Sequence, residues 1–306
     1  MRASFPKLVI AFLVAVIVAS ACGGTTSPGT GAAKPTVIIG STNFSEQLIV
    51  GELYAQLLEA NGYTVTRKFN LGAREIVFPA LTSGQIDMEV DYLATLLSFV
   101  NKNATGSTDP KVTAAALQKE LDSKNVTVLD YAPAVDQNGF VVTKATADKY
   151  KLAKLSDVAA VGAQLVLGGP AECPTRPFCA LGLKNTYGIT FKDFKPLDTG
   201  GPLTVAALKA AQIDVGLLFT SDSTIAVNGF VLLDDDKHLQ LSDNVAPVVR
   251  NDLLSKAPSD FKSLINSIAP KLTTAELTAL NKQADVDKTD PKAIASAWLK
   301  KQGLIK

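Results

Sequence analysis

"ALTSGQIDMEV", residues 80–90, returns as "ALKAAQIDVGL" at residues 207–217. Both stretches carry Ala-Leu, a three-residue gap and then Gln-Ile-Asp, at an offset of 127. Two earlier pairs keep the same order: "NGYTV" (61–65) with "YGITF" (187–191), and "VIIGS" (37–41) with "LVLGG" (165–169). All the offsets fall between 126 and 128. Matches in one order at one spacing describe a single supersecondary unit used twice.

Each copy reads β-α-β-α-β. In the first, "TVIIG" (36–40) is a short buried strand, and Asn43 with Glu46 three places on predicts a capping box. The helix that follows runs to its stop at Asn61-Gly62. "YTVTRKF" (63–69) alternates as a strand, "AREIVFPALTSG" (73–84) reads as a helix containing Pro79, and "IDMEVDY" (86–92) is the third strand. In the second copy the helix after "LVLGG" is expected near Cys173. Between the copies, residues 101–164 hold a helix and the strands "VTVLDY" (126–131) and "GFVVT" (139–143). After the second copy come the strand "APVVR" (246–250), "TTAELTALNKQ" with its own capping box, and "DPKAIASAWLKKQG" with Pro first and Gly last.

Short apolar strands alternating with helices imply an α/β fold with two mostly parallel sheets and helices on their faces. The expected molecule has two similar βαβαβ lobes joined by two hinge strands. Residues 36–137 and 246–306 would form lobe 1, and residues 138–245 lobe 2. In open α/β sheets, ligands sit beyond the carboxyl ends of the strands. Here those ends are "GSTNFSE" (40–46), "NLGARE" (70–75), "GGPAECPTR" (168–176) and "DTGGPLT" (198–204).

Arg2 and Lys7 precede an eleven-residue apolar run, Leu8 to Val18, and then "ASAC" (19–22). That is a secretory signal, too short for the roughly 20 residues of a membrane span. Cys22 opens the Gly/Ser/Thr/Pro tether "GGTTSPGTGAAKP", with nothing to bury. The segment resembles a bacterial lipoprotein signal, with Ala19 where Leu is usual. It predicts a signal peptide over 1–21, lipid on Cys22 and a tether over 22–35. The alternative is plain secretion with cleavage near Ala21.

With Cys22 lipidated, Cys173 and Cys179 remain, an even count in an oxidising compartment, which predicts a disulfide. A zinc site would need more ligands, and the single histidine, His238, stands beside the acidic run "DDDK" (234–237), read as a solvated turn. No metal or cofactor is expected. Loss of residues 1–21 removes Arg2 and Lys7 and takes the net charge from +1 to −1, which argues against nucleic acid as a partner. A lone histidine and oxidised cysteines leave no Ser–His or Cys–His pair, and no HExxH, nucleophile elbow or P-loop is present, so the chain is not expected to be an enzyme. An extracellular hydrolase working by carboxylates alone and a sensory receptor on the same fold are the competing readings.

The stretch "IGSTNFSEQLIVGELYAQLLEANGYTVTRKFNLGAREIVFPALTSGQID" (39–87) resembles the substrate-binding proteins of osmoprotectant ABC transporters, as does "VLLDDDKHLQLSDNVAPVVR" (231–250). The resemblance implies the two-lobed periplasmic-binding-protein type II fold. It also implies a monomer on the outer face of the cytoplasmic membrane, delivering a solute to a permease and its ATPase. The implied ligand is a quaternary amine such as glycine betaine, carnitine or choline, held by cation–π attraction in an aromatic cage. Tyr92 and Thr95, in "DYLAT", match a cage tyrosine and a hydroxyl of the family, and Arg176 matches its ligand-binding arginine. The other cage positions fall on Asn138, Phe219 and Asp243, and a lysine of some relatives falls on Thr42, beside Asn43. Asp243 or Asp222 would then pair with a cation directly. A different small polar solute is the other expectation.

Overall fold

The computed structural model describes residues 34–306, so the expected leader, Cys22 and the tether through Ala33 lie outside the described residues. Lys34–Lys306 form one compact unit. Ten strands make two five-stranded sheets. In chain order they are β1 (Val37–Gly40), β2 (Val65–Lys68), β3 (Met88–Tyr92), β4 (Val126–Val128), β5 (Asn138–Val142), β6 (Val166–Pro170), β7 (Asp193–Leu197), β8 (Val215–Phe219), β9 (Val231–Leu232) and β10 (Val245–Arg250). The first sheet runs β2-β1-β3-β10-β4 and the second β7-β6-β8-β5-β9. The two orders correspond place for place, with β6, β7 and β8 standing where β1, β2 and β3 stand in the first sheet.

The repeated Gln-Ile-Asp has the same task in both sheets. The Asp87 carboxylate accepts the Ile38 N–H at 2.9 Å, and Asp214 accepts that of Val166 at 2.9 Å. The backbone N–H groups of the same two aspartates donate to the same two residues' carbonyls, at 2.7 and 2.9 Å. Ile86 lies over Gly40, where a Cβ would meet its Cδ1 at 2.4 Å; Ile213 lies likewise over Gly168, at 2.6 Å. The motif thus clips the third strand's approach to the first, with the isoleucine filling space that only a glycine leaves. The echo recurs because the junction recurs.

In each sheet one inner strand opposes its neighbours: β10 pairs antiparallel with β3 and β4, and β5 pairs antiparallel with β8 and β9. These are the strands expected at the hinge. The chain crosses between sheets just ahead of each, where Val135 and Asn244 form an isolated antiparallel bridge. Beside it the Asp136 N–H donates to the Asp243 carbonyl at 3.0 Å.

The helix Ser45–Ala60 buries Ile49, Val50, Leu53, Tyr54, Leu57 and Leu58, and the terminal helices Thr274–Asp285 and Pro291–Lys301 pack against it. Trp298 is buried there and donates its indole N–H to Glu276 at 2.8 Å. Thr273 caps its helix by accepting the Glu276 N–H, whereas the Glu276 carboxylate turns to Trp298 and Lys301. The capping box expected at Asn43 is not formed: Phe44 stands at the helix start without a side-chain cap, and Glu46 is buried elsewhere. In the second lobe the equivalent helix is short, Ala180–Gly182 widening into a π-turn at Leu183–Tyr187. The "DDDK" turn is anchored as well as solvated, since Asp235 accepts from the Tyr187 hydroxyl and from the Leu239 and Gln240 N–H groups. His238 is exposed. No helix among the described residues is long and apolar enough to cross a membrane.

Candidate functional site

A cavity of about 500 Å³ lies between the two sheets. All four loops expected at the strand ends reach it: Thr42, Asn43 and Phe44 from the first, Ala73 to Glu75 from the second, Glu172, Cys173, Thr175 and Arg176 from the third, Thr199 from the fourth. Strand ends place the rest. Tyr92 closes β3 and Phe219 closes β8, at equivalent places in the repeat, and Asn138 opens β5 opposite Phe219. Thr95 and Asp243 complete the set of predicted residues on the wall. Asp222 is the exception; it lines a neighbouring cleft on the far side of Phe44 and Phe219.

Three rings form a row. Phe44 stacks on Phe219 with centroids 5.0 Å apart and on Tyr92 at 6.4 Å. The Tyr92 hydroxyl donates to Glu46 at 2.6 Å and accepts from Gln47 at 3.1 Å. Burial, followed by the charge of Glu46, pushes the Tyr92 phenol well above its ordinary range. Phe178 adds a further ring to the wall.

The polar groups are mostly engaged with one another. Asp243 accepts the Thr95 N–H at 2.7 Å and its hydroxyl at 2.6 Å, and burial pushes its carboxyl up to about 6. Arg74 and Asp91 form a buried two-point ion pair at 2.8 and 2.6 Å. Asn138 does not face the cavity with its amide free: its N–H₂ donates to the Phe178 carbonyl at 2.9 Å. Asp136 accepts the Ser221 N–H on one oxygen, and burial with the nearby Glu46 raises its carboxyl well above the usual range. The other Asp136 oxygen and the Thr42 hydroxyl are buried on the wall without a partner among the described residues. Buried polar atoms left unpaired are costly, and here they stand ready for a ligand.

The disulfide Cys173–Cys179 is formed. It closes the loop that carries Arg176 and Phe178, and Gly182 lets the loop fold back: a Cβ there would lie 1.8 Å from the Pro177 carbonyl oxygen. Arg176 is half-buried and binds Glu75, on the opposite lobe, at 2.8 Å and Glu172 at 3.1 Å. Sequence reading missed Phe44, Gln47, Arg74, Glu75, Asp91, Asp136 and Phe178. Phe44, Arg74 and Glu75 stood inside loops already marked by strand-end position, so a signal existed for them. None existed for Asp136, which depends on how the crossing segments meet.

Such a cleft, lined by both halves of a duplicated α/β unit, is that of a two-lobed solute-binding protein. A sequence profile described as the substrate binding domain of ABC-type glycine betaine transport system matches residues 35–301. The chain belongs to that family and is a transport binding protein, not an enzyme. It is 30% identical to the glycine-betaine-binding protein of Pseudomonas aeruginosa over 301 residues, covering 93% of each chain. It is 29% identical to the carnitine transport binding protein OpuCC of Listeria monocytogenes, covering 89% of this chain and 88% of that one. Among solved structures it is similar to a glycine betaine/carnitine/choline ABC transporter protein, with a TM-score of 0.69 and 31% identity over 88% of this chain and 100% of the other. The type II binding-protein fold implied by the resemblance is the fold observed.

Proposed function

We propose that the cavity captures one quaternary amine of the glycine betaine, carnitine or choline kind and that the chain delivers it to an ABC permease and its ATPase. The row Tyr92–Phe44–Phe219 carries this reading. A quaternary ammonium donates no hydrogen bond, yet ring faces draw it at up to about 2 kcal/mol per desolvated contact. The carboxylate of Asp243 adds negative charge beside the rings, and the free oxygen of Asp136 adds an unpaired polar group. Thr42 and Arg176 would meet the polar end, Thr95 holds Asp243 toward the cation, Asn43 edges the mouth, and Asn138 holds the Phe178 loop. Asp222 acts from the adjoining cleft. Two ring contacts and one charged hydrogen bond of about 2 kcal/mol, less the cost of association, correspond to roughly micromolar to sub-millimolar binding.

The lobes consist of residues 36–137 with 246–306, and of residues 138–245, and they close on the solute about the crossing segments. Lipid on Cys22 would hold a monomer at the outer face of the cytoplasmic membrane, the tether leaving it room to meet the permease. Calorimetric titration against betaines, carnitine, choline and uncharged osmolytes tests the ligand. One quaternary amine per chain, bound below millimolar, is expected. If none binds there and an uncharged solute does, the ring row is packing and the ligand is of another class.

A further inference from the structure

Glu46 was expected to cap a helix, and it does not. Its side chain, 4% exposed, turns inward and takes three donors. One oxygen accepts the Tyr92 hydroxyl at 2.6 Å; the other accepts the Ser221 hydroxyl at 2.8 Å and the Asn281 amide at 2.6 Å. Tyr92 closes a strand of the first sheet and Asn281 lies on a helix packed against Ser45–Ala60 of the same lobe, but Ser221 follows β8 of the second sheet. Ser221 is also tied by its N–H to Asp136, on the crossing segment, at 3.0 Å.

We infer that Glu46 is a positioning residue that couples the approach of the two lobes to the placement of the Tyr92 ring; the inference rests on reading the cavity as the solute site. With the lobes together, Ser221 completes the donor set of a buried carboxylate. With the lobes apart, Glu46 loses that donor, and its hold on the Tyr92 hydroxyl is shared with whatever replaces it. Ring placement matters because Phe44 stacks between Tyr92 and Phe219, one ring from each lobe. A glutamine would turn an N–H₂ toward either the Tyr92 hydroxyl or the Asn281 amide, both of which already donate. An aspartate, one methylene shorter, would not span donors from three segments. A charge-assisted bond of this kind is worth about tenfold in an equilibrium.

The test uses the full chain labelled with 3-fluorotyrosine, the Tyr92 resonance being identified by its loss in Tyr92→Phe. Glu46→Gln and Ser221→Ala are each expected to move that resonance in the absence of any solute, although Ser221 makes no hydrogen bond to Tyr92 and meets it only through Glu46. Each is also expected to weaken the tightest solute of the panel about tenfold, with the double variant no weaker than Glu46→Gln alone. A Tyr92 resonance unmoved by Ser221→Ala, or additive losses in the double variant, overturns the coupling. Ser221→Ala removes a single oxygen and keeps the test available should Glu46→Gln fail to fold. The fluorine measurement needs no ligand, so a wrong solute and a wrong coupling give different results.

Discussion

Asp243 stands opposite Thr95 with both carboxylate oxygens satisfied, yet burial holds its carboxyl near 6. The folded chain therefore keeps a proton between about pH 4 and 6 that the unfolded chain has already released. Ionising Asp243 costs folding stability as pH rises through that window. A bound cation reverses the preference at the site, because its field favours the carboxylate. Solute affinity is expected to rise with pH up to about 6 and then level, with binding at pH 5 about tenfold weaker than at pH 7.5. Asp243→Asn should flatten the profile. Calorimetry across pH 5–8 checks it, and an affinity that falls over this range would show that the cation does not meet this carboxylate. Asp222, also pushed by burial to about 6, adds to the stability trend from outside the cavity. Residues of this sort were half legible in the sequence. Tyr92, Thr95, Arg176 and Phe219 were placed by the family resemblance, and all four line the cavity. The partners Asp243 and Asn138 actually choose could not be placed, since those depend on which loop folds over which.

The element with the strongest local constraint is the Cys173–Cys179 loop. Its closure is worth about 2 kcal/mol on the chain-entropy model. Arg176 and Phe178 sit inside the loop, and Asn138 and Gln240 grip it through the Phe178 carbonyl at 2.9 and 3.0 Å. Replacing both cysteines with serine is expected to lower unfolding free energy by about 2 kcal/mol. Solute affinity should drop by a larger factor than a neutral surface change would cause. Denaturant titration and calorimetry on the same variant separate the two. Full affinity with reduced stability would make the disulfide a staple only. The periodic elements were legible throughout: the strands of the two copies lie where alternation and the 127-residue echo put them. The helix Leu93–Val100 and the π-turn after Gly182 were not. The first is an apolar run without a cap or a stop, and the second departs from the 3.6-residue period on which reading depends.

At the scale of the molecule, polar contacts tie the lobes both deep inside the cleft, where Ser221 meets Glu46, Asn281 and Asp136, and at its mouth, where Arg176 meets Glu75. The outer pair is partly exposed, with Glu75 at 44% and Arg176 at 22%, so its worth is at most about 1 kcal/mol and falls with salt. Its effect on solute choice follows from what Arg176 must give up. A betaine or carnitine carboxylate that takes Arg176 competes with Glu75 for its charge, whereas choline, having no carboxylate, leaves the pair intact. Glu75→Gln is therefore expected to tighten carboxylate-bearing amines by up to about fivefold relative to choline. It should also enlarge the radius of gyration of the ligand-free protein slightly, because one closing contact is gone. Paired calorimetric titrations and small-angle scattering measure both effects. An unchanged ratio between glycine betaine and choline, with scattering unchanged as well, would mean that Arg176 faces neither the solute nor the closing motion, and that the carboxylate end is met elsewhere on the wall.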